Sequence, residues 1–376
     1  MLSRMMRGVF HWLEQRENRP FLLGGNDLEN SVQEMKFLEN IGMMITYQCE
    51  VACPHCIVEA GPERSEKVSP SEARDWLRQA AAYKSGEIKG VSLTGGEPFY
   101  DVESFREIME FGDSAGLFMT AVTNAYWATS LQAAVEVLSS VPALKMLGIS
   151  TDVYHQQFIE FERVTHAIRA AEMLRIPVQI SVCTDSKTDP GYQEIMRKLL
   201  QIADKDTIDT VMTYSVGRAA TMLPQQRHRV IEPTVSACTA AGSPIIFPDG
   251  RVIACIGPLI NLSSGHHLVL GNLREASLED ILNRAQLNPI LHTIRIWGPH
   301  RLLQLLERKA GSILLNQFLE NNVCDICYQI FSNQKITHLI ESLAGDRDFM
   351  QMIAYARAFY LKENEMLELL GAEHAG

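Results

Sequence analysis

No stretch of this 376-residue chain is long and apolar enough to span a membrane. The basic start, Met1 to Phe10, runs into His11, Glu14, Gln15 and Arg16 instead of an apolar segment, so no secretion signal is expected. The net charge is −11 and no long Lys/Arg run offsets it, which argues against a nucleic-acid backbone as main partner. It says nothing against a peptide or a sugar. Low-complexity segments are missing, and so are internal repeats other than strand–helix units. An apolar content of 46% is ample for a large core. Eight cysteines without a signal peptide point to metal or redox chemistry in a cytoplasmic protein.

Three of those cysteines, Cys49, Cys53 and Cys56, stand close together in the run Thr46 to Cys56, directly after an apolar stretch. The spacing is Cys-x3-Cys-x2-Cys. Three thiolates can hold three irons of a [4Fe–4S] cube and leave the fourth without a protein ligand. An open iron suits reductive chemistry on a bound cofactor better than electron storage. Zinc and disulfides compete with this reading. A structural zinc site wants four closed ligands, and His55, adjacent to Cys56, would have to fold back to be the fourth. Disulfides want an oxidising compartment. Spacing alone leaves both open.

From residue 41 to 215, apolar strand-like runs alternate with amphipathic helical stretches. The candidate strands are Ile41–Tyr47, Gly90–Thr94, Phe118–Thr123, Leu144–Ser150, Val178–Thr184 and Asp209–Ser215. The clearest helix starts at Ser69-Pro70-Ser71-Glu72, a capping box with proline at the first helical position. Its apolar residues Ala73, Trp76, Leu77, Ala80 and Ala81 keep helical spacing. Such units predict an α/β fold, a parallel sheet with helices outside, closing into a partial (β/α)6 barrel with its chemistry in the loops after the strands.

Strand parity adds a prediction about the interior. With Val178, Ile180 and Val182 toward the helices, Gln179, Ser181, Cys183 and Asp185 face inward; the same parity turns Gly148, Ser150 and Asp152 inward. A polar lumen suggests a held ligand, although a one-residue error in register would flip every assignment. Beyond residue 220 the pattern changes. Pro248-Asp249-Gly250 between β-rich runs reads as a hairpin turn, residues 276–320 look largely helical, and Cys324-Asp325-Ile326-Cys327 follows. The expected organisation is a mostly helical segment 1–40, a barrel 41–225, a small α+β region 226–332 and a helical tail 333–376.

A second anchor, Leu93-Thr94-Gly95-Gly96-Glu97-Pro98, follows the second strand. Its glycines let backbone approach a ligand, and Glu97 offers a carboxylate. Cys-x3-Cys-x2-Cys after strand one and Gly-Gly-Glu after strand two, in that order, resemble the radical S-adenosylmethionine (SAM) enzymes over residues 41–220. His55 stands where that family more often has Tyr, Phe or Trp. The resemblance implies a [4Fe–4S] cluster on Cys49, Cys53 and Cys56, with SAM chelating the open iron. Reductive cleavage then gives a 5′-deoxyadenosyl radical that removes a substrate hydrogen. Gly95, Gly96 and Glu97 would line the SAM amino group, and His55 would lie beside the cluster. Asn124 matches a Thr-Asn-Gly pattern with Ala125 in place of glycine. Ser150 and Asp152 match a region that often touches ribose or carboxylate. Arg163 and Arg218 are further candidates for the SAM carboxylate, a solvated surface arginine being the plain alternative for Arg218.

Cys238, Gly250-x4-Cys255 and Cys324-x2-Cys327 resemble the twitch form of the auxiliary-cluster (SPASM/twitch) domain. This implies one auxiliary [4Fe–4S] cluster, fully protein-ligated and suited to electron transfer, with a four-cysteine zinc site as the alternative. Cys183 then remains. It is either a small buried hydrophobe or a hydrogen-atom donor to a substrate radical. The expected function is a radical SAM oxidoreductase or maturase that cross-links or oxidises a ribosomally made peptide. The alternative is dehydrogenation or epimerisation of a small sugar or aminocyclitol. An external electron donor such as flavodoxin or ferredoxin is implied; nucleic acid and membrane are not.

Overall fold

The computed structural model describes residues 37–222, 229–262, 265–320 and 322–366. All but the last few residues of the expected helical segment 1–40 lie outside them. Six parallel strands carry the fold: β1 (Asn40–Thr46), β2 (Gly90–Gly95), β3 (Phe118–Thr123), β4 (Met146–Ser150), β5 (Val178–Thr184) and β6 (Ile208–Met212). They hydrogen-bond in chain order, each joined to the next by a crossover containing a helix. All six expected strands are present, with ends that differ by a few residues at most. The first crossover helix, Pro70–Ala82, starts at the capping box: Ser69 Oγ accepts from Glu72 N and the Glu72 carboxylate accepts from Ser69 N. Its buried residues Ala73, Trp76, Leu77 and Ala80 face the sheet.

Parity in β4 and β5 is as read from the pattern. Leu147, Ile149, Ile180 and Val182 belong to the core under the helices. Ser150, Ser181 and Cys183 line an internal cavity. Gln179 and Asp185 are taken up by neighbours, Gln179 donating to Asp209 and Asp185 accepting from the Tyr154 hydroxyl.

Past the barrel come β7 (Arg229–Val230), β8 (Ile245–Ile246), β9 (Arg251–Ile253), β10 (Val269–Asn272) and β11 (Phe318–Leu319). The strands β8–β10 do not form a sheet of their own. β8 pairs parallel with β1, Gly42 opposite Ile245, and β9 and β10 follow antiparallel, so one nine-stranded sheet runs β10-β9-β8-β1-β2-β3-β4-β5-β6. The β8–β9 hairpin turns at Phe247-Pro248-Asp249-Gly250, closed by Gly250 N donating to Phe247 O. Gly250 sits at φ 86°, a conformation that a Cβ would strain. A separate two-stranded sheet pairs β7 with β11.

Helices Leu278–Gln286, Pro289–Trp297, Pro299–Ala310 and Val323–Ser332 follow, and the tail continues as Thr337–Ala344 and Arg347–Leu361. The tail is tied down by a buried ionic cluster. Glu363 accepts from Arg295 at 2.7 Å and from Arg357 at 2.6 Å, and the Phe37 ring lies beneath both guanidinium groups. No described helix is long and apolar enough to cross a membrane.

Candidate active site

The cysteine loop leaves the end of β1 and is held on every side by main chain. Cys49 N donates to Gly61 O, Gly61 N to Tyr47 O and Cys56 N to Cys53 O. Gly96 N bonds Thr46 O, and Glu97 N bonds Gln48 O, so the loop after β2 lies directly on the cysteine loop. A Cβ on Gly96 would stand 2.1 Å from Gln48 O and one on Gly95 2.6 Å from Thr46 O. Only glycine permits this approach, which explains the Gly-Gly pair.

Glu97 serves the same architecture, not the cavity. Its carboxylate is fully buried and accepts from Phe99 N (3.0 Å), the Thr123 hydroxyl (2.8 Å) and Asn124 N (2.8 Å). Burial pushes its pKa up to about 8, against the pull of the hydrogen bond from Asn124. Glu97, expected beside a ligand's ammonium group, is absent from the cavity lining. Its carboxylate welds the loop after β2 to the end of β3, and the neighbouring Gly95 and Gly96 supply the cavity wall. Glu97→Ala strands two backbone N–H groups in the interior. It is expected to lower unfolding free energy by roughly 3 kcal/mol, measured by denaturant titration of the apo protein; an unchanged midpoint would show that the three bonds are dispensable.

Arg218 and Arg163 also have partners outside the cavity. The Arg218 guanidinium donates to Cys53 O and Ala60 O, both at 2.7 Å, and its N–H to Cys56 O. It clamps the cysteine loop from outside. Arg163 donates to Tyr126 O and stacks on the Tyr126 ring at 4.5 Å. Neither is part of the cavity wall.

The cavity, about 290 Å³, opens at the carboxyl ends of the strands, with Cys49, Cys53 and Cys56 on one side. Asn124 lines it and donates through Nδ2 to Cys49 Sγ at 3.4 Å; Ala60 N reaches Cys56 Sγ at 3.3 Å. Ala125, in the glycine position of the family pattern, takes φ 64°, the left-handed conformation glycine favours. Asp152 is nearly inaccessible. Oδ1 accepts from Tyr154 N and His155 N; Oδ2 lies 2.9 Å from His155 Nδ1 and 3.5 Å from His55 Nε2. Burial pushes its pKa up, but the charge and hydrogen bond of His155 and the nearby His55 outweigh this and hold it at about 2. His55 stacks on Tyr154, and desolvation lowers its pKa to about 4. It is a neutral aromatic plate beside the cysteines.

Sequence reasoning missed His155, Tyr154 and Tyr214. The first two had a local signal, an aspartate at a strand end whose side chain caps the next turn. Tyr214 had none.

The other four cysteines also gather. Cys238 precedes a short 3-10 turn, Cys255 follows β9, and Cys324 and Cys327 share one turn of helix Val323–Ser332. Burial raises all four thiols, Cys324 to about 11 and Cys255 to about 12, and Cys327 also feels the charges of the other three. Gly257 N bonds Cys255 Sγ at 3.2 Å, and the Tyr214 hydroxyl lies 3.4 Å from Cys324 Sγ. None of the eight cysteines is in a disulfide.

Four sulfurs around one zinc lie roughly 4 Å apart, from Zn–S bonds of about 2.3 Å in a tetrahedron. Among the described residues, the group whose ligand atoms all lie within 4.8 Å is His55, Asp152 and His155, with no cysteine in it. Three thiols in one loop and four brought together from separate elements suit a multi-iron cluster, in which each sulfur holds a different metal.

A model of the radical SAM superfamily matches residues 43–199. Residues 43–199 form a radical SAM domain. An iron–sulfur cluster-binding domain model matches residues 238–310, so this radical SAM enzyme combines SAM and its [4Fe–4S] cluster with auxiliary iron–sulfur chemistry. Cys324 and Cys327 lie beyond that match, and helix Val323–Ser332 returns them to Cys238 and Cys255. The chain is similar to the putative peptide biosynthesis protein YydG of Bacillus subtilis (strain 168), 21% identical over 310 residues, 80% of this chain and 94% of that protein. The crystal structure of BtrN in complex with AdoMet and 2-DOIA aligns with 71% of this chain and 90% of that one, at 11% identity and a TM-score of 0.35.

Proposed function

We propose that this radical SAM enzyme modifies a ribosomally made peptide, cross-linking or oxidising it. Cys49, Cys53 and Cys56 hold the SAM cluster, and Cys238, Cys255, Cys324 and Cys327 hold one auxiliary [4Fe–4S] cluster. When bound, the SAM cluster supplies the reductive cleavage that yields a hydrogen-abstracting carbon radical. The chain's own residues do the rest. Gly95 and Gly96 present backbone to the SAM amino group, and Asn124, Ser150 and Asp152 offer polar contacts on the same side of the cavity. Arg218 keeps the cysteine loop in place from behind. An external carrier such as flavodoxin or ferredoxin delivers electrons in the cytoplasm.

The observation that carries the peptide reading is the remaining part of the cavity wall. Met212, Ile245, Phe247, Ile256 and Ile260 make it apolar. An aliphatic amino-acid side chain matches such a wall, whereas a sugar or aminocyclitol would leave its hydroxyls without partners there. The likeness to a protein named for peptide biosynthesis, along nearly its whole length, supports the same substrate class.

Cys183 favours a second reading, epimerisation. Its thiol lines the cavity, 3.3 Å from the Thr213 hydroxyl. A thiol there can return a hydrogen atom to a substrate radical. The test uses reconstituted enzyme, SAM, dithionite and a synthetic peptide encoded next to this gene, run in deuterated water. Oxidation or cross-linking lowers the product mass by about two units, whereas thiol return adds about one deuterium. Cys183→Ala is expected to abolish deuterium incorporation while 5′-deoxyadenosine still forms. Inverted, deuterated product from the alanine variant would exclude the thiol, and absence of any peptide product, with turnover of an aminocyclitol, would sink the peptide reading.

A further inference from the structure

We propose that Tyr214 donates a hydrogen bond to the auxiliary cluster through the Cys324 sulfur and thereby sets that cluster's reduction potential. This rests on the assignment of Cys238, Cys255, Cys324 and Cys327 to one cluster. Tyr214 follows β6 and belongs to two walls at once. One is the main cavity; the other is a second cavity of about 290 Å³ between Ser215, Val216 and helix Val323–Ser332. Its hydroxyl lies 3.4 Å from Cys324 Sγ across 110 residues of sequence. A Cβ on Gly257 would be 3.7 Å from the Tyr214 ring and 3.8 Å from Cys255 Sγ, so the ring packs against the Cys255 loop as well.

The direction of the bond follows from chemistry. A thiol and a hydroxyl can each donate, but a thiolate bound to iron carries lone pairs and no proton. Once Cys324 ligates a cluster, Tyr214 is the donor. A hydrogen bond to a cluster sulfur withdraws electron density and favours the reduced state, which raises the potential. The residue before it, Thr213, touches Cys183 Sγ. Residues 213–214 therefore reach from the thiol in the reaction cavity to the auxiliary set, and Tyr214 is a positioning residue that acts through the cluster.

Tyr214→Phe removes the hydroxyl and keeps the ring. Wild type and variant are reconstituted anaerobically with iron and sulfide and titrated electrochemically under EPR, without SAM or substrate. The expected result is two clusters in both proteins, an unmoved potential for the SAM cluster, and a more negative potential for the auxiliary cluster in the variant. Two clusters with an unmoved auxiliary potential overturn the proposal alone. One cluster in the wild type overturns the auxiliary assignment together with it. Should the phenylalanine variant fail to load its auxiliary cluster, Tyr214→His restores a donor: recovered loading supports the hydrogen bond, and failure of both variants overturns it.

Discussion

A Cys53→Ala variant is expected to lose reductive SAM cleavage altogether while keeping its fold and its auxiliary cluster. Cys53 is buried in the cysteine loop, and that loop is fixed by backbone bonds and by Arg218 on the Cys53 carbonyl, none of which needs the thiol. Iron should fall from about eight to about four per chain, one [4Fe–4S] cluster fewer, and 5′-deoxyadenosine should drop to background. The auxiliary thiols lie elsewhere, on the 3-10 turn at Cys238, behind β9 and on helix Val323–Ser332, so their cluster should survive. Full iron content with continued cleavage would refute the role given to this loop.

The second large effect concerns stability. Glu363 is the carboxylate in ion-pair contact with two buried guanidiniums: Arg357 is 2% exposed and Arg295 7%. Arg357 also donates to Gln286, and Arg295 reaches the His292 ring. Removing one member of such a network strands charge in the interior, which costs about 3–5 kcal/mol. Glu363→Ala should lower the unfolding midpoint by on the order of 10 °C in calorimetry. An unmoved midpoint would mean that the tail contributes little. The acid dependence has a definite sign. Burial raises the Glu363 pKa, but Arg295 and Arg357 outweigh it and leave it below the ordinary 4.5. The contribution is therefore present above about pH 4.5 and is lost as pH falls through the depressed native value. Glu363→Gln should be less stable at neutral pH and should lose this part of the acid transition.

Particular residues show how far the sequence reaches. The six barrel strands were legible because apolar runs and the turn residues between units are short-range signals, and β5 adds alternation residue by residue: Ile180 and Val182 in the core, Ser181 and Cys183 on the cavity. The capping box at Ser69 was legible for the same reason, since all its partners lie within three residues. Glu97, Arg163 and Arg218 fared otherwise. Sequence position put them near a ligand, but each side chain found closer partners: Glu97 at the end of β3, Arg163 on Tyr126, Arg218 on the back of the cysteine loop. A charged group buried at such distances takes the nearest complementary backbone groups, and no local pattern announces which those are.

The sequence by itself determined the cofactor chemistry. Cys-x3-Cys-x2-Cys followed by Gly-Gly-Glu, at the ends of successive strands, needs only local spacing to be read. Tertiary structure decided what shares the cavity with that chemistry. It added β8–β10 to the edge of β1 instead of building them a sheet of their own, and so gave the cavity the apolar wall of Ile245, Phe247, Ile256 and Ile260. It set Tyr214 against Cys324, 110 residues away, and Arg218 against Cys53, 165 residues away. Strand pairing and burial act through space. Spacing along the chain fixes which groups can bind iron, and only the folded sheet fixes what stands opposite them.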